Sequence, residues 1–232
     1  ESVGSEGLHT EHPGFDHHSI LCCLILSPDI LMPKVVRIYG MAPNLSNTPP
    51  APPGVEVWLS NWHRGYLRRL PRALIEWTRY FNMHSKQHML KTYPAGFKWY
   101  EDQDGTRPIY LRDAVEPTIK GSTVFPRHEL QTYLSTNGTP QRYFTCSACW
   151  FIALAIYEKF ERIELWGFEV RTTKKKYAFE RPCIFYWIEE ARKRGIEVWT
   201  PPELILDPYT IGDPDTYDGP LYGYETTEPF IH

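Results

Sequence analysis

A glycine corner after a buried strand is the part of this sequence best suited to chemistry. The strand from Val35 to Ile38 is rich in β-branched residues, and Gly40 stands where it ends. Glycine lets the backbone turn in directions that other residues disfavour, so the N–H groups after it can face the edge of a parallel sheet. Nucleotides bind at this edge in open α/β folds. The sequence therefore predicts either an ordinary surface turn or a phosphate-binding corner, which would consist of Gly40, Met41, Ala42, Pro43, Asn44 and Ser46.

Three further segments place glycine or polar residues where a predicted strand ends or a helix begins. They are Asn61 after the strand 55–59, Gly167 and Glu169 at the end of the strand 162–167, and Thr145, Cys146 and Ser147 at a helix start. The carboxyl ends of parallel strands share one edge of a sheet. We therefore expect all of these corners to line one crevice.

Each corner offers a different interaction. The Asn61 amide can bind a base or a ribose, and the N–H groups of a helix that starts near Ser147 favour an anion. The Glu169 carboxylate can accept hydrogen bonds from sugar hydroxyls or act as a base. The structural alternatives are a turn former, a helix cap and a solvated charge. Thr145 or Ser147 as a plain helix cap is the strongest of these alternatives.

Cysteine and histidine spacing gives little support for a redox or metal site. The five cysteines, an odd number without the spacing of a secreted disulfide scaffold, are Cys22, Cys23, Cys146, Cys149 and Cys183. Cys146 and Cys149 have C-x-x-C spacing, but no second pair accompanies them and an apolar run follows, so we interpret both as buried helix residues. His84 and His88 are four residues apart, which would place them on one face of a helix. No third ligand follows at a defined spacing, so a metal site is not favoured.

The length and net charge of the chain indicate one folded domain without a strongly basic surface. A chain of 232 residues can bury a substantial core, and its formal net charge of −3 gives no sign of a nucleic-acid-binding face. Strands and helices alternate along the chain, most clearly in its second half. This order predicts an α/β, Rossmann-like single domain, with a mainly parallel central sheet flanked by helices and joined by right-handed crossovers.

The predicted elements are short and separated by many loops. Strands are predicted at 34–39, 55–59, 78–84, 108–111, 162–167 and 196–199. Helices are predicted at 64–73, from 126 onward, at 145–159 and at 181–194. Residues 91–142 are otherwise predicted to be loop-rich, and 171–176 to be a basic loop.

The predicted domain boundaries leave a lead and a tail outside the core. Residues 1–31 are expected to be a poorly ordered extension or an added lead, and 32–206 to be the nucleotide-binding domain. Residues 207–232 form a tail rich in Pro, Gly and Tyr. The apolar run 20–26 is too short to span a bilayer, so we expect no membrane association and a cytoplasmic protein.

Two blocks of the sequence resemble the bacterial sialyltransferase family typified by the Campylobacter enzymes. Val36 to Leu45 is similar to that family's strand followed by Gly-x-x-Pro-Ser-Leu, an opening shared with archaeal hydroxymethylpterin diphosphokinases. Tyr143 to Glu169 is similar to its Thr-Ser-Gly helix and the following Ile-x-Leu-x-Gly-x-Asp strand. Trp58 to Asn61 stands where the family carries an Arg-Cys-Asn segment. Through Lys176 to Pro182 the chain also resembles uncharacterised bacteriophage proteins.

The resemblance spans about residues 32–202 through short motifs, and three positions depart from it. Asn44 replaces the motif serine, Ala148 replaces the glycine of Thr-Ser-Gly, and Glu169 replaces the final aspartate. Motifs of this kind support a fold more directly than a reaction. The implied fold is a nucleotide-binding Rossmann-like domain.

The resemblance implies a glycosyltransferase-like enzyme. It would bind a nucleotide-activated sugar as its substrate and transfer the sugar to a hydroxyl acceptor, with no obligatory metal or other cofactor. The nucleotide would lie across the glycine corner, Asn61, Gly167 and the helix start at 145–147. The implied catalytic residues are Glu169 or His84 as the base, with His128 as a further candidate, and Arg181 or Tyr177 to neutralise the leaving group.

Two other functions stay open at this point. A nucleoside-triphosphate-dependent diphosphokinase would need magnesium held by carboxylates near the phosphates, and no paired aspartate motif follows a predicted strand. A non-catalytic Rossmann-like virion or binding protein would fit the three substituted motif positions. If a phage encodes the chain, it would act in the cytoplasm of a bacterial host, with modified DNA or a glycan as the acceptor. Association into a homo-oligomer is also left open.

Overall fold

A parallel β-sheet forms the centre of the protein. The computed structural model describes residues 33–40, 48–60, 76–168 and 175–200, so the predicted lead, the tail and the helix 64–73 lie outside the described residues. Within these ranges the strands are β1 (Val35–Tyr39), β2 (Glu56–Ser60), β3 (Arg79–Asn82), β4 (Ile109–Leu111), β5 (Ser122–Val124), β6 (Arg162–Trp166) and β7 (Glu197–Trp199). All neighbouring strands pair in parallel, which confirms the predicted fold class.

The strand order reverses beside β1. The sheet runs β5-β4-β3-β2-β1-β6-β7, so the first five strands follow one another in one direction from β1. The chain then returns and adds β6 on the other side of β1. In open α/β sheets, ligands bind outside the carboxyl ends of the strands at such a reversal.

Helices cover both faces of the sheet. In the part of the chain that the structure describes, they are α1 (Lys86–Thr92), α2 (Pro94–Glu101), α3 (Arg127–Tyr133), α4 (Ser147–Tyr157) and α5 (Lys175–Lys193). One core cluster joins α4 and α5 to the sheet, and a second joins α1 and α2 to its other face. No described helix combines the length and the apolar character needed to cross a bilayer.

Side-chain alternation along the strands divides the core into these two clusters. In β1, Val36 and Ile38 face α4 and α5, whereas Tyr39 belongs to the opposite cluster. Every residue of α4 from Ala148 to Ile156 is buried, as the all-round apolar sequence predicted. This helix ends at Tyr157, two residues before the predicted end.

Residues 91–142 are loop-rich, as predicted, but two helices and one strand in or beside them were not predicted. Helix α1 starts after Ser85, whose Oγ accepts a hydrogen bond of 3.1 Å from the His88 N–H. It has no apolar period because Met89 is its one buried residue. Helix α2 starts at Pro94, since proline is favourable at the first helical position. Strand β5 pairs with β4 through three residues, which are too few to show the alternation of a strand.

Helix α5 starts earlier than predicted. The amphipathic pattern placed its start at Arg181, so that Pro182 would lie in the first turn, where proline is favourable. In the structure the helix begins at Lys175 and continues through Pro182, so the end of the predicted basic loop is helical. Burial of Ile184, Trp187 and Ile188 against the core stabilises this long helix in spite of the proline.

A buried ion pair joins β1 to β6. Arg37 and Glu164 are register partners, and the Arg37 Nε donates to Glu164 Oε2 at 2.6 Å. Both residues are at least nine-tenths buried. The Arg37 Nη1 also donates to the carbonyls of Pro49 and Pro50, at 2.9 and 3.1 Å, and the Trp166 indole donates to the same Glu164 oxygen at 3.2 Å. Charge and hydrogen bonds are thus both satisfied, which is what a buried pair requires.

We expect the Glu164→Leu variant to lose about 3–5 kcal/mol of unfolding free energy, because it leaves the Arg37 guanidinium buried without its carboxylate. Urea denaturation followed by circular dichroism measures this loss. Lys98→Ala is the control, since the Lys98–Asp102 pair is exposed to solvent and should contribute little to stability.

The double variant Arg37→Met/Glu164→Leu separates charge from packing. It should recover much of the lost stability, because both buried charges are removed. Arg162 also pairs with Glu164, at 3.1 Å, but it is partly exposed and keeps its pair with Glu197. Equal, small losses in the Glu164 variant and the Lys98 control would show that the pair does not hold β1 against β6.

Candidate functional site

Two glycines meet where β1 and β6 end. The Gly40 N–H donates to the Trp166 carbonyl at 2.7 Å. A Cβ atom added at Gly40 would lie 2.4 Å from the Gly167 carbonyl oxygen, closer than real Cβ atoms come. Gly167 itself has a φ of 68°, in the left-handed region. Both positions therefore require glycine, Gly40 for the close approach and Gly167 for its backbone angle.

Three adjacent strands end at this place. Ser60 ends β2, which pairs with β1, so Ser60, Gly40 and Gly167 follow one another along the carboxyl edge. Neighbouring strands are about 4.8 Å apart, which gives this row a width of about 10 Å. The predicted residues that continue from these corners, Met41, Ala42, Pro43, Asn44, Ser46, Asn61 and Glu169, lie outside the described residues.

The start of α4 lies at the same edge of the sheet. The segment after α4 reaches the amino end of β1, where the Glu161 N–H donates to the Lys34 carbonyl at 2.8 Å. Eleven helical residues span about 16 Å, so Ser147 lies near the opposite, carboxyl edge. Thr145 and Ser147 are half-buried there.

The N-cap of α4 is Cys146, and neither of the two predicted residues Thr145 and Ser147 occupies that position. Cys146 has extended backbone angles, and its side chain makes no capping hydrogen bond. Ser147 is the first helical residue instead. The N-terminus of a helix carries a partial positive charge that attracts an anion.

Aromatic stacking holds the segment before α4. The Phe144 ring lies between two indoles, with centroids 3.6 Å from Trp150 and 4.7 Å from Trp187, and it is nearly parallel to both. The Trp187 indole N–H also donates to the Tyr143 carbonyl at 2.7 Å. Because Trp187 belongs to α5, the position of the α4 start depends on the packing of α5.

Gln141 fixes the same segment through its amide. Its Oε1 accepts hydrogen bonds from the Arg142 and Tyr143 N–H groups, both at 2.8 Å. Its Nε2 donates to the Tyr186 hydroxyl of α5 at 3.2 Å. The sequence analysis did not identify this residue, since a glutamine in a loop has no spacing signal.

His84 follows β3, two strands away from β1. It precedes α1 and is not on a helix as its spacing to His88 suggested, but the two imidazoles still meet with ring centroids 4.8 Å apart. The His84 N–H donates to the buried Asn82 amide oxygen at 3.1 Å. In the part of the chain that the structure describes, no group of three or more potential ligands is arranged to hold a metal.

Arg181 lies within the packing of α5. It is 8% exposed, and its guanidinium carbon is 5.4 Å from the centroid of the Phe185 ring one turn later. The C-x-x-C cysteines are also buried, as predicted, and both are free thiols.

A cavity of about 270 Å³ lies at the far end of the same sheet edge, after β4 and β5. His128, a predicted base candidate, lines it together with Arg112 and Arg127. The Arg127 guanidinium is 3.1 Å from the His128 Nε2, and Arg112 pairs with Asp113 at 2.7 Å. The sequence analysis missed the arginines, although Arg112 directly follows a predicted strand.

Comparison with known proteins gives a distant likeness. No protein-family model matches the sequence, and no curated protein is significantly similar to it. The sialyltransferase CstII from Campylobacter jejuni with cytidine-5'-monophosphate shares 14% identity over 72% of this chain and 79% of its own, with a TM-score of 0.44. The monofunctional alpha-2,3-sialyltransferase Cst-I from the same organism shares 15% identity over 76% and 78%, with a TM-score of 0.43. At these values the likeness assigns this chain neither a family nor an activity.

We expect Gly40→Ala to destabilise the protein by about 1–3 kcal/mol, because the new methyl group would overlap the Gly167 carbonyl and push β6 away from β1. Chemical denaturation measures the effect. Gly96→Ala in α2 is the control, since its Cβ would have 3.7 Å of space and alanine favours a helix. An equal response of both variants would show that the Gly40–Gly167 approach is not tight.

Proposed function

We propose that this chain is a glycosyltransferase-like enzyme that binds a nucleotide-activated sugar at the carboxyl edge of β1 and β6. The observation that carries the proposal is the contact of Gly40 with Gly167 at the point where the strand order reverses. Backbone N–H groups at such a reversal suit a phosphate group. The start of α4 at the same edge adds a second source of N–H groups.

The roles proposed for individual residues follow the sequence resemblance. Phosphate would bind the N–H groups that follow Gly40 and those of the α4 start near Ser147, because the N–H of Gly40 itself donates to Trp166. The Asn61 amide would bind the base or the ribose. These contacts hold the leaving group and leave the sugar free to face an acceptor.

The proposed reaction is a substitution at the anomeric carbon of the donor. A base, Glu169 or His84, takes the proton of the acceptor hydroxyl as its oxygen bonds to that carbon. The bond from the carbon to the phosphate oxygen breaks, and the nucleotide leaves with the electron pair. The α4 start and Arg181 would stabilise the negative charge on this leaving group. His84 lies after β3, two strands or about 10 Å along the sheet from Gly40.

A nucleotide panel tests this function. We expect CMP or another nucleotide, or its sugar conjugate, to raise the melting temperature, and at roughly 100 times its Kd to add about 2.7 kcal/mol of stability. The panel comprises CMP, UDP, GDP, ATP and the corresponding nucleotide sugars, each with and without magnesium. Stabilisation that needs both a triphosphate and magnesium would instead support a diphosphokinase. No stabilisation by any member would contradict the proposal and favour a non-catalytic protein.

Asn61→Ala tests the contact with the nucleotide. We expect this variant to lose the nucleotide-induced rise in melting temperature, while the melting temperature without ligand stays nearly unchanged. Gln87→Ala, which removes an exposed amide from α1, is the control and should keep the full response. If Asn61 only forms a turn, the variant will be less stable and its ligand response will persist.

A further inference from the structure

The two cysteines at the start of α4 have their sulfur atoms in contact. Cys146 is the N-cap and Cys149 is the third helical residue, so the pair closes over the first turn. The Sγ atoms are 3.3 Å apart, and both thiols are free. A disulfide needs about 2.05 Å, so the sulfurs would have to approach by only about 1.2 Å.

We propose that Cys146 and Cys149 form a reversible intramolecular disulfide when the protein is exposed to a peroxide. The sulfurs are already in contact, so the bond requires side-chain rotation and no rearrangement of the sheet. This inference does not depend on the proposed function. It concerns the chemistry of the pair alone.

The oxidation balances in two steps. The Cys146 thiol releases its proton to solvent, and the thiolate attacks one peroxide oxygen. The O–O bond breaks, the leaving hydroxide takes up a proton, and the products are a sulfenic acid and one water molecule. The Cys149 sulfur then displaces the sulfenic hydroxyl, which forms the S–S bond and releases a second water. The two thiols lose two electrons and two protons, and the peroxide is reduced to water. Cys146 is the attacking residue because it is 6% exposed, whereas Cys149 is fully buried.

A third sulfur lies beside the pair and has other partners. The Cys183 thiol of α5 donates to the Tyr143 carbonyl at 3.2 Å, and its sulfur accepts from the Thr145 N–H at 3.5 Å. These bonds hold Cys183 to the segment before α4. Cys183 is the other described thiol that could react with an oxidised Cys146 in place of Cys149. Its hydrogen bonds hold it in position, which favours the bond between Cys146 and Cys149.

The surroundings of the pair predict slow oxidation at neutral pH. Burial raises the pKa of the Cys146 thiol. The negative charge of Glu180 raises this pKa further, and so does the neighbouring Cys183; both residues belong to α5. Burial also raises the pKa of Cys149 well above its usual range. Less thiolate is present at a given pH, so the oxidation rate should increase as the pH rises.

Mass spectrometry of one peptide tests the disulfide. The folded, full-length protein is treated with hydrogen peroxide, free thiols are alkylated, and trypsin then releases residues 143–159, which contain Cys146 and Cys149 and no other cysteine. We expect this peptide to lose two hydrogens and to escape alkylation. Dithiothreitol added before alkylation should restore both alkylated thiols.

Two variants define the specificity of the bond. Cys183→Ser should still form it, and Cys149→Ser should abolish it while circular dichroism shows that the variant remains folded. If Cys149→Ser does not fold, the wild-type chain and Cys183→Ser still decide the question. The proposal is overturned if the peptide keeps both alkylated thiols, if it is cross-linked to the Cys183 peptide, or if the bond forms only in urea.

Discussion

The pairing of β1 with β6 is the interaction on which the rest of this structure depends. The two strands come from opposite halves of the chain, and their registered pair Arg37–Glu164 is separated by 127 residues. The pair is buried and hydrogen-bonded on both sides, so it specifies one register at the place where the strand order reverses. The glycine contact just beyond it exists only because this register brings Gly40 beside Gly167.

Contacts from α5 set the position of the α4 start. Helix α5 contributes the Trp187 indole, the Cys183 thiol and the Tyr186 hydroxyl, and each of them contacts the segment 141–145. The last crossover of the fold, from β6 to β7, thus positions the helix that precedes β6. The candidate site is assembled from the two ends of the domain and is not carried by one local motif.

The sequence predicted the elements whose signal is local. A β-branched run predicted β1, and an apolar run predicted α4. A glycine directly after a strand predicted the corner at Gly40. The need for glycine at position 40 was not predictable, because it comes from close contact with the carbonyl of Gly167, a residue 127 positions away. Arg37 and Glu164 resemble the outward-facing positions of ordinary strands, and only the pairing register shows that they are buried together. Helices α1 and α2 were missed because they are short and bury few residues.

The stacking of Phe144 between two indoles has a consequence for how the segment before α4 can move. The backbone at residue 144 cannot slide or tilt without separating a pair of rings whose centroids are 3.6 Å apart. All three rings are buried, so this resistance comes from inside the core. A displacement of the α4 start would therefore require α4 and α5 to shift together.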